Sequence, residues 1–91
     1  GSSRAAARAT FTSACGSCHA LADAGTSGTT GPDLTTALRG MTAAEIRTAI
    51  VDPDASVAPG FPAGVMPADF AERLSSEQID GLVAYLASVS R

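Results

Sequence analysis

The sequence predicts an all-α domain, and two observations carry that prediction. Two segments open with the same helix-start signature, Met41-Thr42-x-x-Glu45-Ile46 and Leu74-Ser75-x-x-Gln78-Ile79. In each, a hydroxyl residue and a Glu or Gln three places on form a capping box, and the flanking apolar pair forms a hydrophobic staple. No segment carries the alternating pattern of a strand. The chain has 91 residues, which suggests one domain spanning residues 1–91. Its aromatic residues are few, Phe11, Phe61, Phe70 and Tyr85, and it has no tryptophan. Domains this small often lean on a cofactor, a metal or a disulfide.

The elements follow in order. Gly1-Ser2 reads as a cloning scar, so residues 1–3 count as a scar or flexible N-terminus. Residues 4 to about 14 are expected to be helical, because Ala5, Ala6, Ala7 and Ala9 are strong helix formers. Ala7, Phe11 and Cys15 recur at four-residue spacing and so share a face. Residues 20–33 contain Gly25, Gly28, Gly31 and Pro32 among serines and threonines, the composition of a loop. Leu34 and Leu38 are apolar anchors beyond it. A second helix is expected over 43–51, burying Ile46, Ala49 and Ile50, and ending before Pro53. Residues 53–67 form a loop stiffened by Pro53, Pro59, Pro62 and Pro67. The last helix is expected over 76–89, with Ile79, Leu82, Val83, Leu86 and Val89 as its apolar stripe and Tyr85 near one edge.

The chemistry concentrates in Cys15-Gly16-Ser17-Cys18-His19. C-x-x-C-H is the attachment signature of c-type haem. Each thiol can add across one porphyrin vinyl group, and the imidazole of His19 can then bind the iron from the proximal face. His19 is the only histidine of the chain. A zinc site would be one ligand short. A thioredoxin-like motif would need an α/β pattern, and a plain disulfide leaves the adjacent histidine unexplained. Without its haem the polypeptide is expected to fold poorly.

The sixth iron position has two methionine candidates. Met66 lies in Gly64-Val65-Met66-Pro67, where Pro67 favours an extended backbone before it. Met41 already has an explanation as a staple residue. Met66 is therefore the favoured ligand. The alternatives are Met66 as a filler of a core gap, Met41 as ligand, or a distal site without methionine. Histidine and methionine together are the electron-transfer arrangement of haem iron.

Composition excludes several roles. The net charge is −3, lysine is absent, and six arginines are scattered, so no basic stripe exists for nucleic acid. No stretch approaches the roughly 18 apolar residues of a membrane span. Thioether attachment implies an extracytoplasmic location, on the periplasmic side or the outer face of the cytoplasmic membrane. A targeting segment is then expected to have been removed from the parent chain, which a membrane anchor would suit as well. The expected state is a monomer.

With these pieces placed, the chain resembles class I cytochrome c over nearly its whole length. The resemblance rests on Cys15-Gly16-Ser17-Cys18-His19, Gly31-Pro32-Asp33-Leu34, Met66-Pro67 and Leu82-Val83-Ala84-Tyr85-Leu86. It implies the small cytochrome c fold, with three to four helices around one covalently bound haem c. The first and last helices would cross near a right angle, Ala7 and Phe11 meeting Gly81 and Tyr85. It also implies that the backbone oxygen of Pro32 accepts a hydrogen bond from His19, which would fix the ring. Arg39 and Arg47 are candidates for a haem propionate. The run Gly60-Phe61-Pro62-Ala63-Gly64-Val65-Met66-Pro67, followed by Leu74-Ser75-Ser76-Glu77-Gln78, is similar to domains fused to subunit II of haem-copper oxidases. Partners would then be redox proteins, an oxidase copper centre or other cytochromes, although the lysine ring of mitochondrial cytochrome c is missing. The expected function is one-electron transfer rather than catalysis. A haem enzyme or gas sensor with an open distal site is the alternative, and the lack of a second histidine tells against it.

Overall fold

The computed structural model describes residues 3–90. Its described elements run α1 (Arg4–Ala14), β1 (Ala20–Leu21), β2 (Thr26–Ser27), α2 (Leu34–Ala37), α3 (Ala43–Val51), α4 (Phe70–Arg73) and α5 (Ser76–Val89). Single 3₁₀ turns lie at Ala22–Ala24 and Pro53–Ala55. The fold class is all-α, as the sequence predicts. Gly1 and Ser2 lie outside the described residues, and Ser3 is the N-cap of α1, its hydroxyl accepting from the amide of Ala6 at 3.0 Å.

The three long helices start where their caps dictate. Both capping boxes form in full: Thr42 and Glu45 exchange side-chain and backbone hydrogen bonds, and so do Ser75 and Gln78. Ser90, just past α5, returns its hydroxyl to the carbonyl of Leu86 at 2.6 Å. Helix α3 stops at Asp52 and Pro53 opens the next turn, where its missing N–H costs nothing.

Helix α1 packs on α5, and α5 also receives α3. Their apolar faces meet in one core of Ala7, Phe11, Leu21, Leu38, Ile46, Ile50, Phe70, Ile79, Leu82, Val83, Tyr85 and Leu86. Phe11, Leu21 and Leu82 are fully buried. Tyr85 is buried too, not at the edge of the stripe, and its hydroxyl reaches Asp23 at 2.6 Å.

The segment read as a plain loop is more structured than its composition indicates. Leu21 pairs with Thr26 and Ala20 with Ser27, antiparallel, around a turn closed by Gly25 at φ 70°. Two residues per strand are too short to show a period, which is why no strand signal is visible. The same brevity conceals α2 and α4, of four residues each. Helix α2 starts where the Asp33 carboxylate accepts from the Thr35 amide at 2.9 Å.

Candidate functional site

Helix α1 delivers the Cys15–His19 turn. Its C-terminus is closed by the amides of Cys15 and Gly16, both donating to the carbonyl of Phe11, at 2.8 and 3.0 Å. The chain then coils once more, and the amides of Cys18 and His19 both donate to the carbonyl of Cys15, at 3.2 and 3.0 Å. This tight turn brings both thiols and the imidazole to one cavity wall. Cys15 and Cys18 are not joined to each other by a disulfide. Burial, with the neighbouring Cys18 adding to it, pushes the Cys15 thiol up to about 11.

His19 is buried and held from several directions. Its Nδ1 lies 2.8 Å from the carbonyl oxygen of Pro32. A carbonyl can only accept, so Nδ1 carries the proton and Nε2 keeps the lone pair a metal needs. The backbone is pinned as well. The carbonyl of His19 accepts from the hydroxyl of Thr26 at 2.8 Å, and the same hydroxyl accepts from the amide of Leu21 at 3.0 Å. The amide of Gly31 donates to the carbonyl of Cys18 at 2.8 Å. Gly31 lies flat against the ring: a Cβ there would fall under 3.0 Å from Cε1, Nδ1 and Nε2.

The cavity itself holds about 700 Å³, within the roughly 300–1,000 Å³ of cofactor sites. Phe11, Leu34, Leu38, Ile46, Ile50, Phe70 and Leu86 are among its apolar lining. Met41 and Met66 both line it, each half-buried and packed on the core. The exposed side chains of Val57 and Val65 stand at its wall on the proline-rich loop. Every predicted site residue, Cys15, Cys18, His19, Pro32 and Met66, therefore meets at one cavity. A large apolar hollow, two thiols and an imidazole of fixed tautomer are the donor set and shape that a thioether-linked haem requires.

The propionate candidates fare differently. Among the described residues neither Arg39 nor Arg47 lines the cavity. Arg47 instead pairs with Asp80 across α3 and α5, which turns its charge toward a neighbouring helix. The charged side chains on the wall are Glu45 and Asp54. Glu45 is occupied as the capping-box partner of Thr42, and those hydrogen bonds hold its carboxyl below the usual range.

Sequence reasoning missed the residues that support the site from behind. Thr26 holds the carbonyl of His19, and Thr35, whose amide donates to Asp33, accepts from the Ala22 amide through its hydroxyl at 2.9 Å. Asp23 accepts from Tyr85 on α5 and from Arg8 on α1, the latter at 3.1 Å. The signal for Thr26 and Asp33 was only their polar character within a loop, and nothing local announces a partner such as Tyr85.

Residues 5–90 match the sequence model of the family described as Cytochrome c. No curated protein and no solved structure gives a significant match to the chain. Among the described residues no helix is long and apolar enough to cross a membrane.

Proposed function

The chain belongs to the cytochrome c family, whose members carry covalently attached haem c and serve electron transfer between redox partners, and from that premise we propose that this protein is a one-electron carrier with His19 and Met66 as its axial ligands. Cys15 and Cys18 would form the two thioethers. Bound haem supplies the one-electron couple. The chain's own part is to hold both ligands still and exclude water from the apolar cavity.

One observation carries the reading. The hydrogen bond from His19 Nδ1 to Pro32, at the wall of an apolar cavity that Met66 also lines, prepares Nε2 as a ligand and makes it a better donor. Met66 is favoured over Met41 because the sequence places Met41 as the staple residue before α3, whereas Met66 sits on the proline-rich loop directly before Pro67. The loop's likeness to oxidase-fused domains supports a place in a respiratory chain, delivering electrons to a terminal oxidase from the outer side of the cytoplasmic membrane. The family's members commonly work outside the cytoplasm. A monomer suits this role.

The ferric protein is expected to show the weak red band of sulfur-to-iron charge transfer. Met66→Ala should abolish that band and lower the potential by on the order of 0.2 V, a part of the roughly 0.8 V that axial ligation spans. A ferric spectrum that is high-spin in the parent protein, or unchanged by Met66→Ala, would overturn the ligand assignment.

A further inference from the structure

Residues 56–69 run between the 3₁₀ turn and α4 with no helix or strand of their own. Within this stretch the amide of Phe61 donates to the carbonyl of Ala58 at 3.2 Å, which only closes a local turn. The amide of Gly64 donates to Oδ1 of Asp54 at 2.9 Å, across ten residues of sequence. Among the described residues this is the hydrogen bond that ties positions 56–67 to the rest of the fold, Asp69 beyond them capping α4.

Both ends of that bond are placed with purpose. Asp54 sits in the 3₁₀ turn that continues α3, next to buried Pro53, and the turn is closed by the Ala55 amide on the carbonyl of Asp52 at 3.1 Å. Its carboxylate therefore stands on a fixed base, and it lines the same cavity as Met66. Gly64 has φ 78°, a left-handed conformation that other residues adopt only with strain. It turns the chain two residues before Met66. An acceptor oxygen on that amide holds the turn where the methionine begins its approach.

We propose that Asp54 is a positioning residue that straps the Met66-bearing loop onto α3 through the amide of Gly64, and so sets how often Met66 leaves the iron. This rests on Met66 being an axial ligand. The requirement is for an acceptor oxygen at this position. A charge is not needed, so Asp54→Asn should serve nearly as well as the parent side chain while Asp54→Ala should not.

The test uses the haem-loaded protein. The rate at which ferric protein takes up imidazole reports loss of Met66 from the iron, and amide hydrogen exchange at Gly64 in the ferrous protein reports the strap directly. Asp54→Ala should raise both rates about tenfold, whereas Asp54→Asn should stay within about twofold of the parent. The His19 side, read by exchange at the Gly31 amide, should not change in either variant. Equal rates in Asp54→Ala and parent would overturn the proposal, and so would an Asp54→Asn variant as loose as Asp54→Ala. The parent spectrum separates the two levels. If the red band is present and Met66→Ala removes it, a null result with Asp54→Ala rejects the strap alone. If the band is absent, the ligand assignment itself has failed.

Discussion

The two walls of the cavity are built by different means. On the His19 side, Cys18, His19, Leu21, Thr26, Gly31 and Pro32 are linked by hydrogen bonds of 2.8–3.0 Å, and Asp23 ties the same turn to α1 and α5. On the Met66 side, residues 56–67 have one local turn and the single strap from Asp54. What that side has in place of hydrogen bonds is proline, at positions 53, 59, 62 and 67. Hydrogen bonds constrain the folded state, while proline removes freedom from the unfolded one. The difference would suit the proposed ligation, in which His19 stays bound and the thioether of Met66 is the weaker ligand. It also means that damage to the two walls should look different.

Gly31→Ala should do the greatest damage and attack the hydrogen-bonded wall. The new methyl would meet three ring atoms of His19 under 3.0 Å. The ring cannot slide away without breaking its bond to Pro32, and Gly31 cannot retreat without losing its own bond to Cys18. Overpacking of this kind costs about 1–3 kcal/mol, and the upper end is expected here. Guanidinium unfolding of the haem protein measures it. A loss below about 0.5 kcal/mol would mean that the wall yields easily, and the contrast between the two sides would disappear.

Tyr85→Phe is the milder attack on the same side. It removes the hydroxyl that donates to Asp23 and should cost about 1 kcal/mol. The pH dependence gives a sharper signature. The Tyr85 hydroxyl, then Arg8, hold the Asp23 carboxyl below its usual value. A depressed carboxyl favours the folded state above its unfolded value of about 3.9, and that contribution fades as the pH falls from there through the lower folded value. The acid limb of the parent's stability curve should therefore be steeper than that of Tyr85→Phe. Burial, then Asp23, push the Tyr85 hydroxyl above its usual range. A raised group stabilises fully below its unfolded value near about 10, and the parent should lose that share as the pH rises beyond it. Parallel curves for the two proteins would show that Asp23 is not held through Tyr85.

How far the sequence discloses this contrast depends on the range of each interaction. The haem motif is legible because covalent chemistry fixes its spacing, and the capping boxes are legible because all their atoms lie within four residues. The capping boxes placed the starts of α3 and α5, and the alanine-rich run before the motif placed α1. Met66 could be singled out because proline and glycine mark its loop. The link behind the His19 turn and the strap on the Met66 loop could not, because they join residues far apart in the chain: Tyr85 and Asp23 are 62 positions apart, and Asp54 and Gly64 ten. The pairing of Arg47 with Asp80 was hidden for the same reason, since Asp80 reaches it only after α3 and α5 have packed. Short-range rules find the elements and the reactive groups, whereas the polar links that hold the ligands become visible only once the fold has brought distant residues together.

Pro59→Ala gives the smallest effect and bears on the other wall. Pro59 and Gly60 occupy the middle of the turn closed by Phe61 and Ala58, and Gly60 at φ 87° gives it the pattern of a type II turn, which favours proline in the first central place. No hydrogen bond is lost on substitution, because proline has no amide hydrogen to donate. The cost should be about 0.4–1 kcal/mol, and it arises from the unfolded chain. Two consequences separate this variant from Tyr85→Phe, though their sizes overlap. Its stability curve should run parallel to the parent's at every pH, because no titrating group has changed its surroundings. Its red band should persist unaltered, because the folded loop keeps its strap and its turn. If Pro59→Ala instead weakens the band or speeds imidazole uptake to the extent that Asp54→Ala does, then proline on this wall holds the folded loop directly, and the two sides of the cavity are rigid for the same reason after all.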